Sequence, residues 1–223
     1  MLSYQLEQGP MTMPGIDNYG AFLFAGILLN LTPGNDTIYI LSQSIARGRH
    51  AGIYSALGIG TGSIVHTLFA AFGLSLLIAQ SMILFTVIKY AGVVYLAYVG
   101  ITMLRGKSAL AREAGTLHTG AANTRVYRDA VITNVFNPKV ALFFIAFLPQ
   151  FINPMYRNTV VPFLALGFTF TFTGILWCLV LATFAAGLSA RLRAQPKMLS
   201  ILTKTSGTIL LGLGIKLAFA HSK

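Results

Sequence analysis

Six stretches of this chain are apolar over about the twenty residues that a helix needs to cross a hydrocarbon layer: 19–43, 52–79, 83–104, 129–152, 159–187 and 199–220. Backbone inside a bilayer must satisfy its own hydrogen bonds, so such stretches fold either as helices or as closed barrels. The alternating segments of about ten residues that mark a barrel are absent. Only 9% of the 223 residues are charged and 55% are hydrophobic, with a mean hydropathy of +0.72. A soluble domain carries about 25% charged residues. So little charge cannot clothe a water-facing surface, and most of this surface must face lipid. The sequence therefore predicts an all-α integral membrane protein with six transmembrane helices, a single membrane domain over 1–223.

The net charge of +11 suggests nucleic acid until its placement is considered. Eleven of the sixteen basic residues fall in connectors on one side: Arg47 and Arg49, then Arg105, Lys107, Arg112, Arg125 and Arg128, then Arg191, Arg193, Lys197 and Lys204. The other side holds only Arg157 and Lys223, while Lys89, Lys139 and Lys216 fall within spans. Basic loops beside membrane spans mark the cytoplasmic face, so both termini are predicted outside it and no nucleic-acid partner is expected. Residues 105–128, rich in Gly, Ala, Ser and Thr, read as a cytoplasmic linker. Residues 1–17 carry no Lys or Arg and no small-residue cleavage site, so they lack the marks of a secretory signal.

The linker leaves three spans on each side, repeat A over 19–104 and repeat B over 129–220. Both open on related sequences, Asn30-Leu31-Thr32-Pro33-Gly34-Asn35-Asp36 and Asn134-Val135-Phe136-Asn137-Pro138-Lys139. With an odd span count the second set enters the membrane from the opposite face. A 3+3 inverted repeat is expected, with helices one and four broken and a binding site near the midplane.

Proline inside a helix removes a donor and clashes with the preceding turn, at a cost of about 3 kcal/mol. Thr32 before Pro33, and Asn137 before Pro138, read as N-cap residues followed by proline at the first helical position, with Gly34 easing the first break. Two half-helix N-termini would then meet at mid-depth, where their dipoles favour an anion such as a carboxylate. Ordinary proline kinks without a ligand are the alternative. Asp36 is the one acidic residue well inside a span, suited to a substrate ammonium or to a proton; alternatively it forms an ion pair with Lys139 that only locks two helices. Asn30, Asn35, Asn134, Asn137 and Lys139 complete the expected substrate-binding set. His66, deep in span two, is a candidate proton relay with Asp36, or else a packed histidine. The glycines of Gly58-Ile59-Gly60-Thr61-Gly62 fit close helix packing, because no strand precedes them as a dinucleotide site would require. Tyr90, Tyr95, Tyr98 and Trp177 are candidates to line a path, with lipid or core packing as the favoured alternative.

The run Leu29 to Thr37, the turn Arg47-Gly48-Arg49-His50-Ala51-Gly52, and Gly58, Gly62 and His66 at four-residue spacing together resemble the opening of the LysE/RhtB amino-acid exporters. Lys89-Tyr90-Ala91-Gly92, Tyr95-Leu96-Ala97-Tyr98-Val99-Gly100, Asn137-Pro138-Lys139 and Phe147-Leu148-Pro149-Gln150-Phe151 continue the likeness in order, over roughly residues 16–220. Asn35 departs from the proline that many members carry there. The resemblance implies export of amino acids such as lysine, arginine, threonine or homoserine, driven by the proton gradient.

The expectation is thus a secondary active exporter of amino acids or their derivatives in the bacterial inner membrane, multi-pass, with both termini periplasmic. Its partners would be an amino-acid substrate, the proton as coupling ion and the lipid bilayer, and a homo-oligomer is compatible with this. No cofactor or metal is expected, since Cys178 is the single cysteine and no phosphate-binding loop is present. An integral-membrane enzyme would need a cluster of catalytic acids or metal ligands, which five acidic residues with one embedded do not supply. A non-transporting accessory subunit would use its embedded polar residues for packing alone.

Overall fold

A computed structural model describes residues 13–75, 122–153, 156 and 158–194, with single positions between 87 and 105 and between 201 and 215; side chains of 186–194 are not included. Predicted spans 83–104 and 199–220, most of the linker 105–128, and Lys89, Tyr95, Lys107, Arg112, Lys197 and Lys216 lie outside the described residues.

Six α-helices and no strand occur among the described residues. Helix α1, Tyr19–Leu31, is apolar throughout and stops where Thr32 meets Pro33. The residue before proline is pushed out of the helical region, and Thr32 sits at φ −69, ψ 119. Helix α2, Asn35–Arg47, follows at once. The predicted cap at this break is displaced: Gly34, not Thr32, is the N-cap residue, and Asn35 opens the helix. The Thr32 hydroxyl donates backwards to the Leu28 carbonyl at 2.8 Å, so it finishes α1 and is spent before α2 begins.

Gly48, at φ +86, turns α2 into α3, Arg49–Phe69, which runs on through a π turn at Ala70–Leu74. That positive φ is open to glycine at no steric cost. Helix α4, Asn123–Val135, begins inside the stretch read as linker, and its first turns carry the exposed pairs Arg125–Asp129 and Arg128–Asp129 at 3.8 and 3.7 Å. It breaks at Phe136–Asn137. Helix α5, Pro138–Leu142, then starts with the expected cap, the Asn137 side chain accepting from the Lys139 N–H at 3.0 Å. The arm continues as a π turn, Phe143–Phe147, and a 3-10 turn, Leu148–Phe151, and is bent by 46° from α4. Helix α6, Val160–Ala194, packs against α1, α2 and α3.

Residues 49–74 and 160–185 are each long and apolar enough to cross a membrane, and the bent pair 123–135 with 138–151 makes a third crossing if taken as one. Phe24, Phe69, Phe72, Phe136, Phe172 and Phe184 are all exposed, a density of apolar surface that suits lipid and not water. The predicted span 19–43 is split into the separate helices α1 and α2.

The two broken helices run antiparallel. Ile16 before α1 bridges Ile152 at the end of the second arm, while Tyr39 in α2 donates to the Val126 carbonyl in α4 at 3.0 Å. One aromatic core, including Phe22, Phe143, Phe147 and Phe170, fills the space between α1, the α5 arm and α6, with Phe143 and Phe170 stacked at 4.3 Å. A second core of Ile40, Ala56, Ile59, Ala130 and Leu181 joins α2, α3, α4 and α6. Helix α3 approaches α4 through its glycines. A Cβ at Gly58 would strike the Tyr127 carbonyl oxygen, and one at Gly62 would come within 2.7 Å of the Asn134 side chain.

Candidate functional site

Each proline leaves one carbonyl without its helical donor, four residues back: Leu29 for Pro33 and Asn134 for Pro138. In both cases a side chain from elsewhere donates to that carbonyl, beside a tight-turn backbone bond from Thr32 N–H at 3.2 Å and from Asn137 N–H at 2.9 Å. Lys139 Nζ donates to Leu29 O at 2.8 Å and also to Thr32 O at 2.8 Å. His66 Nε2 lies 3.1 Å from Asn134 O, so that nitrogen carries the proton, and its ring stacks on Phe144 at 5.5 Å. The cation of Lys139 thereby sits at the negative end of the α1 dipole, and Asp36, in the first turn of α2, at the positive end of that helix.

The side chains of the two breaks also meet. Asn134 Nδ2 donates to Asp36 Oδ2 at 2.9 Å. Asp36 Oδ1 is buried and accepts no hydrogen bond. No ion pair joins Asp36 to Lys139, because the lysine ammonium is turned onto the freed carbonyls of α1. A small cleft, about 40 Å³ in volume, opens here. Asn30, Asp36, Asn134, Asn137 and Lys139 line it from the breaks, together with Thr32 and Gly34. Helix α3 contributes Ile59, Gly60 and Ser63, and α6 contributes Phe170, Thr171, Gly174 and Trp177. Asn30 is anchored to α6 by a bond from its Nδ2 to Thr173 Oγ1 at 3.1 Å. Polar groups of both signs converge in an otherwise apolar cleft, complementary in kind to the two charges of a zwitterion.

The LysE type translocator family model matches residues 27–221, nearly the whole chain. This chain belongs to the LysE type translocator family. Among the relatives is a homoserine/homoserine lactone efflux protein of Salmonella typhimurium, 31% identical over 201 residues, covering 90% of this chain and 96% of the relative. A leucine efflux protein of Salmonella choleraesuis is 27% identical over 208 residues, covering 93% and 98%. An uncharacterized membrane protein of Bacillus subtilis is 31% identical over 203 residues, covering 88% and 96%. No solved structure matches. Two of these three relatives are named as efflux proteins.

In this LysE-type chain, most residues singled out from the sequence come together. Asn35 does not line the cleft: as the first residue of α2 it lies about 100° around the helix from Asp36 and points elsewhere. Pro33 and Pro138 shape the breaks without lining the cleft, and His66 sits behind Asn134. Of the α6 wall, only Trp177 was among the path-lining candidates; Thr171 and Gly174 were missed. Thr171, Gly174 and Trp177 fall three residues apart on one helix face, and Trp177 is the single tryptophan; that spacing within an apolar span was the signal available.

Proposed function

We propose that this protein is a secondary active exporter of amino acids or their derivatives, working by alternating access across the bacterial inner membrane and driven by protons. The observation that carries this reading is Asp36 Oδ1, a buried acceptor without a donor, in a cleft between two broken helices. A carboxylate accepts only, so its natural complement is an ammonium group. Two of the three hydrogens of Lys139 Nζ are spent on the carbonyls of Leu29 and Thr32, and the third, with the open N–H groups at the start of α2, faces the substrate carboxylate. Asn30, Asn134 and Asn137 add neutral hydrogen-bonding groups, which keeps the cost of burial down. The relatives named for efflux of homoserine and of leucine support an amino acid as the substrate class.

In this reading the chain has six spans in a 3+3 inverted repeat, with both termini periplasmic; the antiparallel course of the two broken helices supports it. Arg47 and Arg49 place the far end of α2 at the cytoplasmic face, so substrate from inside reaches Asp36 first. Asp36 and His66, both tied to Asn134, are the proton-relay pair. The test is uptake of a radiolabelled amino-acid panel into inverted membrane vesicles. Uptake of at least one amino acid, stimulated by an acid interior and abolished by a protonophore, is the expected result. Uptake indifferent to the gradient refutes proton coupling, and no uptake of any amino acid refutes export.

A further inference from the structure

Three side-chain atoms lining the cleft are buried without a hydrogen-bond partner: Asp36 Oδ1, Thr171 Oγ1 and Trp177 Nε1. The first is accounted for above; the other two lie on α6. We propose that Thr171 and Trp177 form a separate subsite that hydrogen-bonds an acceptor oxygen on the side chain of the transported amino acid. This rests on the reading of the cleft as an amino-acid site.

Thr171 stands between Thr169 and Thr173 on the same helix, and the contrast is informative. Thr169 donates its hydroxyl hydrogen to the Ala165 carbonyl at 2.8 Å, and Thr173 donates to the Thr169 carbonyl at 3.0 Å. Threonine in a helix ordinarily satisfies itself in this backward way. Thr171 is 4% exposed, yet its hydroxyl makes no such bond and stays open in the cleft. Trp177, six residues on, supplies an indole N–H that can only donate. Six residues advance about 9 Å along the helix, so the two reach into the cleft at different depths.

Buried polar atoms are normally paired, and an unmet donor carries its desolvation penalty until something accepts from it. A ligand fixed by its ammonium at Asp36 and its carboxylate at Lys139 presents its third substituent to α6. A side chain with a hydroxyl or carbonyl oxygen can meet one of the two donors, whereas a hydrocarbon side chain leaves both unpaired. A site built this way discriminates strongly against an analogue lacking the oxygen.

The test uses the full chain in proteoliposomes with two labelled amino acids of nearly equal size, homoserine and norvaline, which differ by a terminal hydroxyl in place of a methyl. The wild type is expected to prefer homoserine by at least about tenfold in KM, the effect of one net hydrogen bond. Thr171→Val or Trp177→Phe should reduce that preference by roughly tenfold, the loss falling on homoserine far more than on norvaline, and Thr171→Ser, which keeps the hydroxyl, should retain it. Monodisperse elution of each variant from a sizing column establishes that it folds. Equal loss for both substrates would assign the pair to the shared carboxylate and overturn the inference, as would an unchanged preference in the variants. A wild type that carries amino acids without preferring homoserine overturns the inference alone. One that carries no amino acid overturns the reading of the cleft, and the inference with it.

Discussion

Replacing Lys139 with methionine shortens the side chain by one atom and removes its three donors. In the native protein Nζ meets Leu29 O and Thr32 O, both at 2.8 Å. Leu29 O would keep a shared bond from the Thr32 N–H at 3.2 Å, but Thr32 O would lose the partner the structure gives it. One orphaned acceptor costs about 1–3 kcal/mol, and losing a second bond from a charged donor adds more. Burying an ammonium is itself costly, and methionine removes that cost. The balance is a net destabilisation of about 2–4 kcal/mol, because two good bonds are lost and polar acceptors stay buried. For a chain of this size each kcal/mol moves the melting temperature by about 2–4 °C, so a drop of roughly 4–16 °C is expected. The assay is thermal unfolding of the purified protein in detergent, followed by sizing chromatography after heating. A Lys139→Met protein that melts within about 1 °C of the wild type would refute the role of Lys139 in closing the broken end of α1.

Asp36→Asn keeps the shape of the side chain but loses its charge; export should fall at least about tenfold while membrane insertion is unchanged, and wild-type export with an unchanged pH profile would make Asp36 a structural residue. Gly58→Ala sets a methyl against the Tyr127 carbonyl and the Ala130 side chain, where backbone cannot yield cheaply. It should destabilise by about 1–3 kcal/mol in the same unfolding assay, and an unchanged melting temperature would show that α3 and α4 are less tightly packed. Reporter fusions active only in the periplasm should signal after Lys223 and near residue 80 and stay silent within 105–128; a silent fusion at the C-terminus would sink the topology.

What could be read from sequence alone was what depends on local chemistry. Apolar runs of sufficient length predict helices in lipid wherever they later pack. The break at Pro138 was legible to the residue, because Asn137 caps its own segment. The break at Pro33 was legible in place but not in detail. Thr32 looked equally suited to capping, yet its hydroxyl had a nearer acceptor in Leu28, and the start of α2 moved to Asn35. Asn35, the first residue of α2, does not line the cleft, whereas Asp36 does. The Asn, Asp and Lys residues were visible as expensive groups in an apolar setting, and most of them line one cleft.

Their pairing was decided by tertiary structure. An ion pair between Asp36 and Lys139 was the reasonable alternative from composition. The fold instead gives Lys139 the carbonyls at the broken end of α1, and gives Asp36 to Asn134, across 110 and 98 residues of sequence. No local pattern encodes such choices, because each depends on which unmet acceptor lies closest once the helices have docked. The α6 wall illustrates the same limit. Thr171 and Trp177 look like ordinary members of an apolar span until α1, α2 and α3 pack against that face and enclose their polar atoms without partners. Periodicity assigns a residue to a face of its helix, but only the packed neighbours determine whether that face meets lipid, core or an open cleft.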